Sequence, residues 1–222
     1  MLKQALHAEV EPLRDPAYAA GAQQYMKSDL PYLGVRMPDL RRSWRRIFAA
    51  SPVESEEQFG DELRELWDEA RYREERYTAI ALVKRYPRWM ELPLVERLVV
   101  EGAWWDYVDN LAGCVGELLR NDPSLAGSMR EWSRDENLWK RRVSIICQLG
   151  RKEHTDLVLL YDCIEPNLGD REFFVRKAIG WALRDYAWYD PHEVDRFVRE
   201  NAERLSGLSR REATKNLARL LA

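Results

Sequence analysis

Cysteine and histidine are scarce in this chain. Cys114, Cys147 and Cys163 form no CxxC pair, which excludes a disulfide framework and points to a reducing compartment. His7, His154 and His192 stand apart, without the spacing of zinc ligands, so no metal site is expected. No apolar run approaches the roughly 18 residues that span a bilayer, which excludes a membrane span. The opening MLKQALHAEVEPLRD carries acids and lacks the apolar stretch of a secretory signal, so a cytoplasmic location is expected. Gly-rich phosphate loops, a Ser-His-Asp grouping and paired carboxylates at glycosidase-like spacing are all missing. Positive charge is also missing on balance: the formal net charge is −3, which argues mildly against a nucleic-acid binder. A basic face can be offset by an acidic back, however, so the distribution of the 35 Lys and Arg counts for more than their sum.

What the sequence does contain is helical periodicity, and no convincing strand alternation interrupts it. Apolar spacing, prolines and caps predict helices over 16–27, 38–48, 55–70, 72–86, 92–101, 104–120, 124–133, 137–149, 153–164, 171–187, 191–205 and 209–221. These make about six helical hairpins, whose second helices begin near 38, 72, 105, 138, 171 and 209. A spacing of roughly 33 to 38 residues is that of helical solenoids, so the expected fold is all-α, a right-handed superhelical solenoid of HEAT-like hairpins forming one domain over 1–222. Packing in a helical core accounts for most of the nine Trp. The pairs Glu56-Glu57, Asp61-Glu62 and Glu74-Glu75 fall on short helical faces and are expected to point outward.

The segment Ala103-Trp104-Trp105-Asp106-Tyr107-Val108-Asp109-Asn110 stands out. In a helix Trp105 and Asp109 share one face, beside the core stripe of Val108, Leu111, Val115, Leu118 and Leu119. Ala112, Gly113 and Gly116 continue their side of the helix as a bare patch that something bulky can approach. Asp106 reads as a first-turn carboxylate that complements the helix dipole. Arg142 lies 33 residues after Asp109, one repeat on, inside the apolar arc of the 137–149 helix. A charge there calls either for a structural acid partner or for a phosphate. Lys140 and Arg141 are expected to be solvated or at the groove edge. Trp181, about one repeat further, borders a stripe of Phe173, Lys177 and Arg184; it is either a core tryptophan or part of an aromatic and basic edge suited to a sugar–phosphate backbone. Arg41, Arg42, Arg45 and Arg46 around Trp44, and Arg210, Arg211 and Lys215, read as solvated faces or backbone contacts.

WWDYVDNL, LWKRRVSIICQL and FFVRKAIGWALRDYA, with YMKSDLPYLGVRMPDLR and LSRREATKNL at the two ends, closely resemble the DNA alkylation repair family of HEAT-like-repeat DNA glycosylases. The resemblance spans essentially the whole chain. It implies a cofactor-free enzyme that removes cationic alkylpurines such as N3-methyladenine and N7-methylguanine from double-stranded DNA without full base flipping. With no lysine clearly placed as a nucleophile the enzyme is expected to be monofunctional, and a solenoid gripping duplex DNA is expected to act as a monomer. It also implies that Trp105 and Trp181 flank the lesion nucleotide, that Asp109 is the catalytic carboxylate, and that Arg142 holds the DNA backbone nearby. Tyr25, in QYMKSDLP, would be a further DNA contact; Lys27, two residues on, and Lys177 and Arg184 of the aromatic and basic edge are expected to contact DNA as well. Other readings of the scaffold are a non-catalytic binder of damaged or branched DNA and a solenoid for protein contacts; the latter leaves the Trp, Asp and Arg register unexplained.

Overall fold

The computed structural model describes residues 1–222, all helices and connections without a strand. The chain divides into two compact units, Met1–Met90 and Glu91–Ala222.

The first unit holds α1 (Leu2–Val10), α2 (Pro16–Met26), α3 (Met37–Ala50), α4 (Glu56–Trp67) and α5 (Arg73–Arg85). α1 packs on α3 and α4, and both of these pack on α5. Helix α1 lies in a stretch where no helix was predicted. Its Leu2, Leu6 and Val10, one turn apart, are all fully buried. The expectation that the acidic pairs point outward fails at three positions, because Glu62, Glu74 and Glu75 are buried. Each meets backbone N–H groups that the helices leave unpaired. Glu74 accepts from Leu33, Gly34 and Val35 at 2.9, 2.9 and 3.2 Å, which pins the 31–36 loop to α5. Glu62 accepts from the Leu2 amide at 2.8 Å, and Glu75 takes His7 Nε2 at 2.6 Å and the Tyr72 amide at 3.2 Å. Buried donors need acceptors, and these carboxylates supply them.

The second unit holds α6 (Leu92–Gly102), α7 (Trp105–Asn121), α8 (Ala126–Trp132), α9 (Leu138–Ile146), α10 (Leu157–Ile164), α11 (Phe173–Tyr186), α12 (Pro191–Glu200), α13 (Gly207–Thr214) and α14 (Leu217–Leu220). Helices α7, α9, α11 and α13 pack side by side in that order, while α8 lies against α10 and α12 against α13 and α14. Second helices of the hairpins thus start at 37, 73, 105, 138, 173 and 207, within two residues of the expected positions. Ends differ more. The predicted 209–221 helix is two helices begun by a Ser206 cap, and the 137–149 and 191–205 helices stop at Ile146 and Glu200.

The stripe of small residues on α7 divides. Gly113 borders open space, whereas Ala112 and Gly116 are buried, and a Cβ on Gly116 would lie 2.1 Å from the Cys147 carbonyl oxygen. Gly116 therefore sets how closely α7 meets the end of α9, and only Gly113 remains bare. Gly116→Ala is expected to destabilise the protein by about 1–3 kcal/mol. Gly113→Ala, in a helix interior with room for the methyl group, is expected to stabilise it by up to about 1 kcal/mol. Urea unfolding of the two variants checks the opposite signs.

Candidate active site

The site is built on α7, α9 and α11, three neighbours in one row. The left-handed Ala103 (φ 38°) ends α6, and the extended Trp104 turns the chain so that Trp105 is the first residue of α7. Asp109 follows one turn later, and both side chains are partly exposed. From α9, Arg142 donates through Nε to Asp109 Oδ1 at 2.7 Å and through Nη2 to Oδ2 at 2.9 Å, a bidentate pair. Its Nη1 donates to the Phe174 carbonyl oxygen at 2.6 Å, at the start of α11. Arg142 is therefore engaged on every side-chain nitrogen, and its side chain is 4% exposed against 16% for Asp109. Of the two readings left open for Arg142, the acid partner is present. The Arg142 guanidinium carbon also stands 5.9 Å from the ring centre of Trp181, which is partly exposed on α11. Asp109, Arg142 and Trp181 thus converge from three layers, with Trp105 a turn away.

Burial pushes the Asp109 carboxyl above its ordinary value. The hydrogen bonds and charge of Arg142 pull it back, and the nearby charge of Asp106 adds to the rise. Asp106 lies in the first turn of α7, as expected of a helix-start carboxylate, but it is buried.

Lys177, Trp181 and Arg184 lie four and three residues apart along α11 and so share a face. Both cations reach one carboxylate, Glu212 of α13: Lys177 Nζ at 2.7 Å, with Arg184 in a second, closer ion pair. Tyr25 and Lys27 belong to the first unit. Tyr25 is 76% exposed on the last turn of α2, and Lys27 closes that helix in a left-handed conformation (φ 49°). Lys140 and Arg141 are not solvated, with side chains only 14% and 16% exposed. Lys140 pairs with Glu96 and Asp135 at 2.7 and 2.6 Å, and Arg141 pairs with Asp170 and donates to the carbonyls of Asp135 and Glu136. They fasten the loop ahead of α9 and the turn ahead of α11, whose backbone acceptors need donors.

Three supporting residues escaped sequence reasoning. Trp104, Trp139 and Phe174 form an aromatic triangle with ring centres 5.0 to 6.2 Å apart, at the N-terminal ends of α7, α9 and α11. The triangle fixes where the Phe174 carbonyl meets Arg142. A signal was available, since the three are 35 residues apart in turn, one repeat length. No three His, Cys, Asp or Glu side chains converge in a way that would hold a metal ion, and no helix is long and apolar enough to cross a membrane.

A family model described as "DNA alkylation repair enzyme" matches residues 6–217. Among solved structures, a "Predicted DNA alkylation repair enzyme from Enterococcus faecalis" superposes with a TM-score of 0.83 at 31% identity, covering 92% of this chain and 97% of its own. No curated protein matches.

Proposed function

Because the chain belongs to the DNA alkylation repair enzyme family, we propose that it is a monofunctional DNA glycosylase that hydrolyses the N-glycosidic bond of cationic alkylpurines, of the N3-methyladenine and N7-methylguanine type, in duplex DNA. The observation that carries the reading is the bidentate Asp109–Arg142 pair, with a partly exposed carboxylate beside a partly exposed Trp181.

An alkylated purine with a positive ring needs no general acid. The glycosidic electron pair moves into the base, which leaves neutral, and an oxocarbenium-like sugar remains. Asp109, held ionised by Arg142, faces that charge. At ~4 Å and an effective dielectric near 20, such a pair is worth about 4 kcal/mol, roughly a thousandfold in rate. The same carboxylate orients a water for attack at C1′ and accepts its proton, so the products are an abasic site and the free base. The indoles of Trp105 and Trp181 add cation–π attraction of about 0.5–2 kcal/mol each. Arg142 acts through Asp109, with any backbone contact secondary to that role. Lysine chemistry at C1′ has little support, since Lys140 and Lys177 are both in ion pairs. The reaction thus ends without strand cleavage. Tyr25, Lys27, Lys177 and Arg184 are read as DNA contacts, and the lesion stays largely within the duplex.

Incubation with duplex containing N7-methylguanine tests the reading. Release of the free base with intact strands, cleavable afterwards by alkali, is the expected result. Duplex binding without release would favour a non-catalytic lesion binder.

A further inference from the structure

We propose that Glu212 is a built-in counter-ion that competes with DNA phosphate for Lys177 and Arg184 and so limits the grip of α11 on undamaged duplex. The inference rests on the reading of α11 as a helix that faces DNA.

Glu212 is placed for this by close packing. A Cβ on Gly180 would lie 2.4 Å from Glu212 Cβ and 2.8 Å from the Ser209 carbonyl oxygen, so only glycine lets α13 touch the α11 backbone there. Ser209 Oγ donates to the Arg176 carbonyl at 2.9 Å and holds the same approach. Glu212 is thereby seated against α11 next to Trp181, where one carboxylate spans two cations seven residues apart. Its side chain is 17% exposed, and those of Lys177 and Arg184 are 38% and 23% exposed, so solvent reaches all three. Lys177 first, and Arg184 after it, hold the Glu212 carboxyl below its ordinary value. The pair is partly solvated, so it adds less to stability than a fully buried one would. Its larger effect is on charge: two cations beside one anion present a single net positive charge to a phosphate. Arg210, Arg211 and Lys215 on and just past α13 are exposed and have no such partner. The damping is therefore confined to the cations on either side of Trp181.

Glu212→Gln keeps the shape and a hydrogen-bond acceptor while removing the charge. Binding of an unmodified duplex oligonucleotide, followed by fluorescence anisotropy across a salt series, is the test. The variant is expected to bind at least about threefold tighter at 50 mM salt. Its slope of log K against log salt should steepen by about one, so that the gain shrinks roughly threefold to fourfold by 200 mM. The gain should vanish in Glu212→Gln/Lys177→Gln/Arg184→Gln. Unchanged affinity and slope, weaker binding by Glu212→Gln, or a gain that persists in the triple variant would each overturn the proposal. Base release by the wild-type protein is scored separately. A wild type that releases base while Glu212→Gln shows no gain sinks the counter-ion alone. A binding gain without any base release leaves the counter-ion standing and removes the glycosylase.

Discussion

Replacing Asp109 by Asn is expected to slow release of N7-methylguanine from duplex at least about a hundredfold, while binding of undamaged duplex is retained. Asn fills the same space and still offers Arg142 one oxygen, so α7 and α9 keep their contact. What disappears, on the proposed mechanism, is the negative charge opposite the developing cation and the acceptor for the water proton. On the proposed reading phosphate affinity should not fall, since one anion is removed from the side read as facing DNA. The pH profile sharpens the test. Burial raises the Asp109 carboxyl above its ordinary value, so on the proposed mechanism protonation should inactivate the wild type on the acid side with a midpoint raised above that of an ordinary aspartate. The rate should fall as pH falls through this midpoint, and the residual rate of Asp109→Asn should lack that limb. Single-turnover base release from about pH 4.5 to pH 8 gives both readouts. An Asn variant within tenfold of wild type would remove Asp109 from the chemistry.

The row of helices and its register were legible because both rest on spacing. A 3.6-residue period marks each amphipathic helix, and a repeat of about 35 residues brings Asp109 opposite Arg142, which lies 33 residues on in the next layer. What spacing does not carry is which partner answers a polar group. Arg142 in an apolar arc signalled a buried charge, but an acid and a phosphate satisfy it equally in one dimension. Glu74 resembled a solvated charge because the donors it meets, the amides of Leu33, Gly34 and Val35, come from a distant loop; Glu75 meets His7 from α1 as well as the Arg71 and Tyr72 amides just ahead of its own helix. Helix α1 was missed for a related reason: its three apolar residues are too few to stand out before the packing partners in α3 and α4 are known. Gly113 and Gly116 are alike in the sequence, and only the approach of Cys147 distinguishes a bare surface from a packing contact.

Arg142→Gln is expected to have the second large effect, and its signature differs from that of Asp109→Asn. Without the guanidinium, burial acts on Asp109 unopposed and its carboxyl rises further, because the two influences that lower it both come from Arg142. Base release at neutral pH should fall, and the acid limb should move to higher pH instead of disappearing. Removing one partner of a buried ion pair costs about 3–5 kcal/mol, and the lower end applies here because Asp109 retains some access to water. The pH dependence of stability follows from the sign of the shift. A carboxyl whose pKa is higher folded than unfolded binds its proton more tightly in the native state, so its ionisation opposes folding. Relative to wild type, Arg142→Gln should therefore regain stability as pH falls through the raised Asp109 midpoint, opposite to the usual acid destabilisation. Urea unfolding at several pH values, run beside base release, separates the outcomes. If Arg142→Gln lowers activity with an unmoved acid limb and a loss of stability independent of pH, Arg142 does not act through Asp109. Its function would then have to lie in direct contact with DNA.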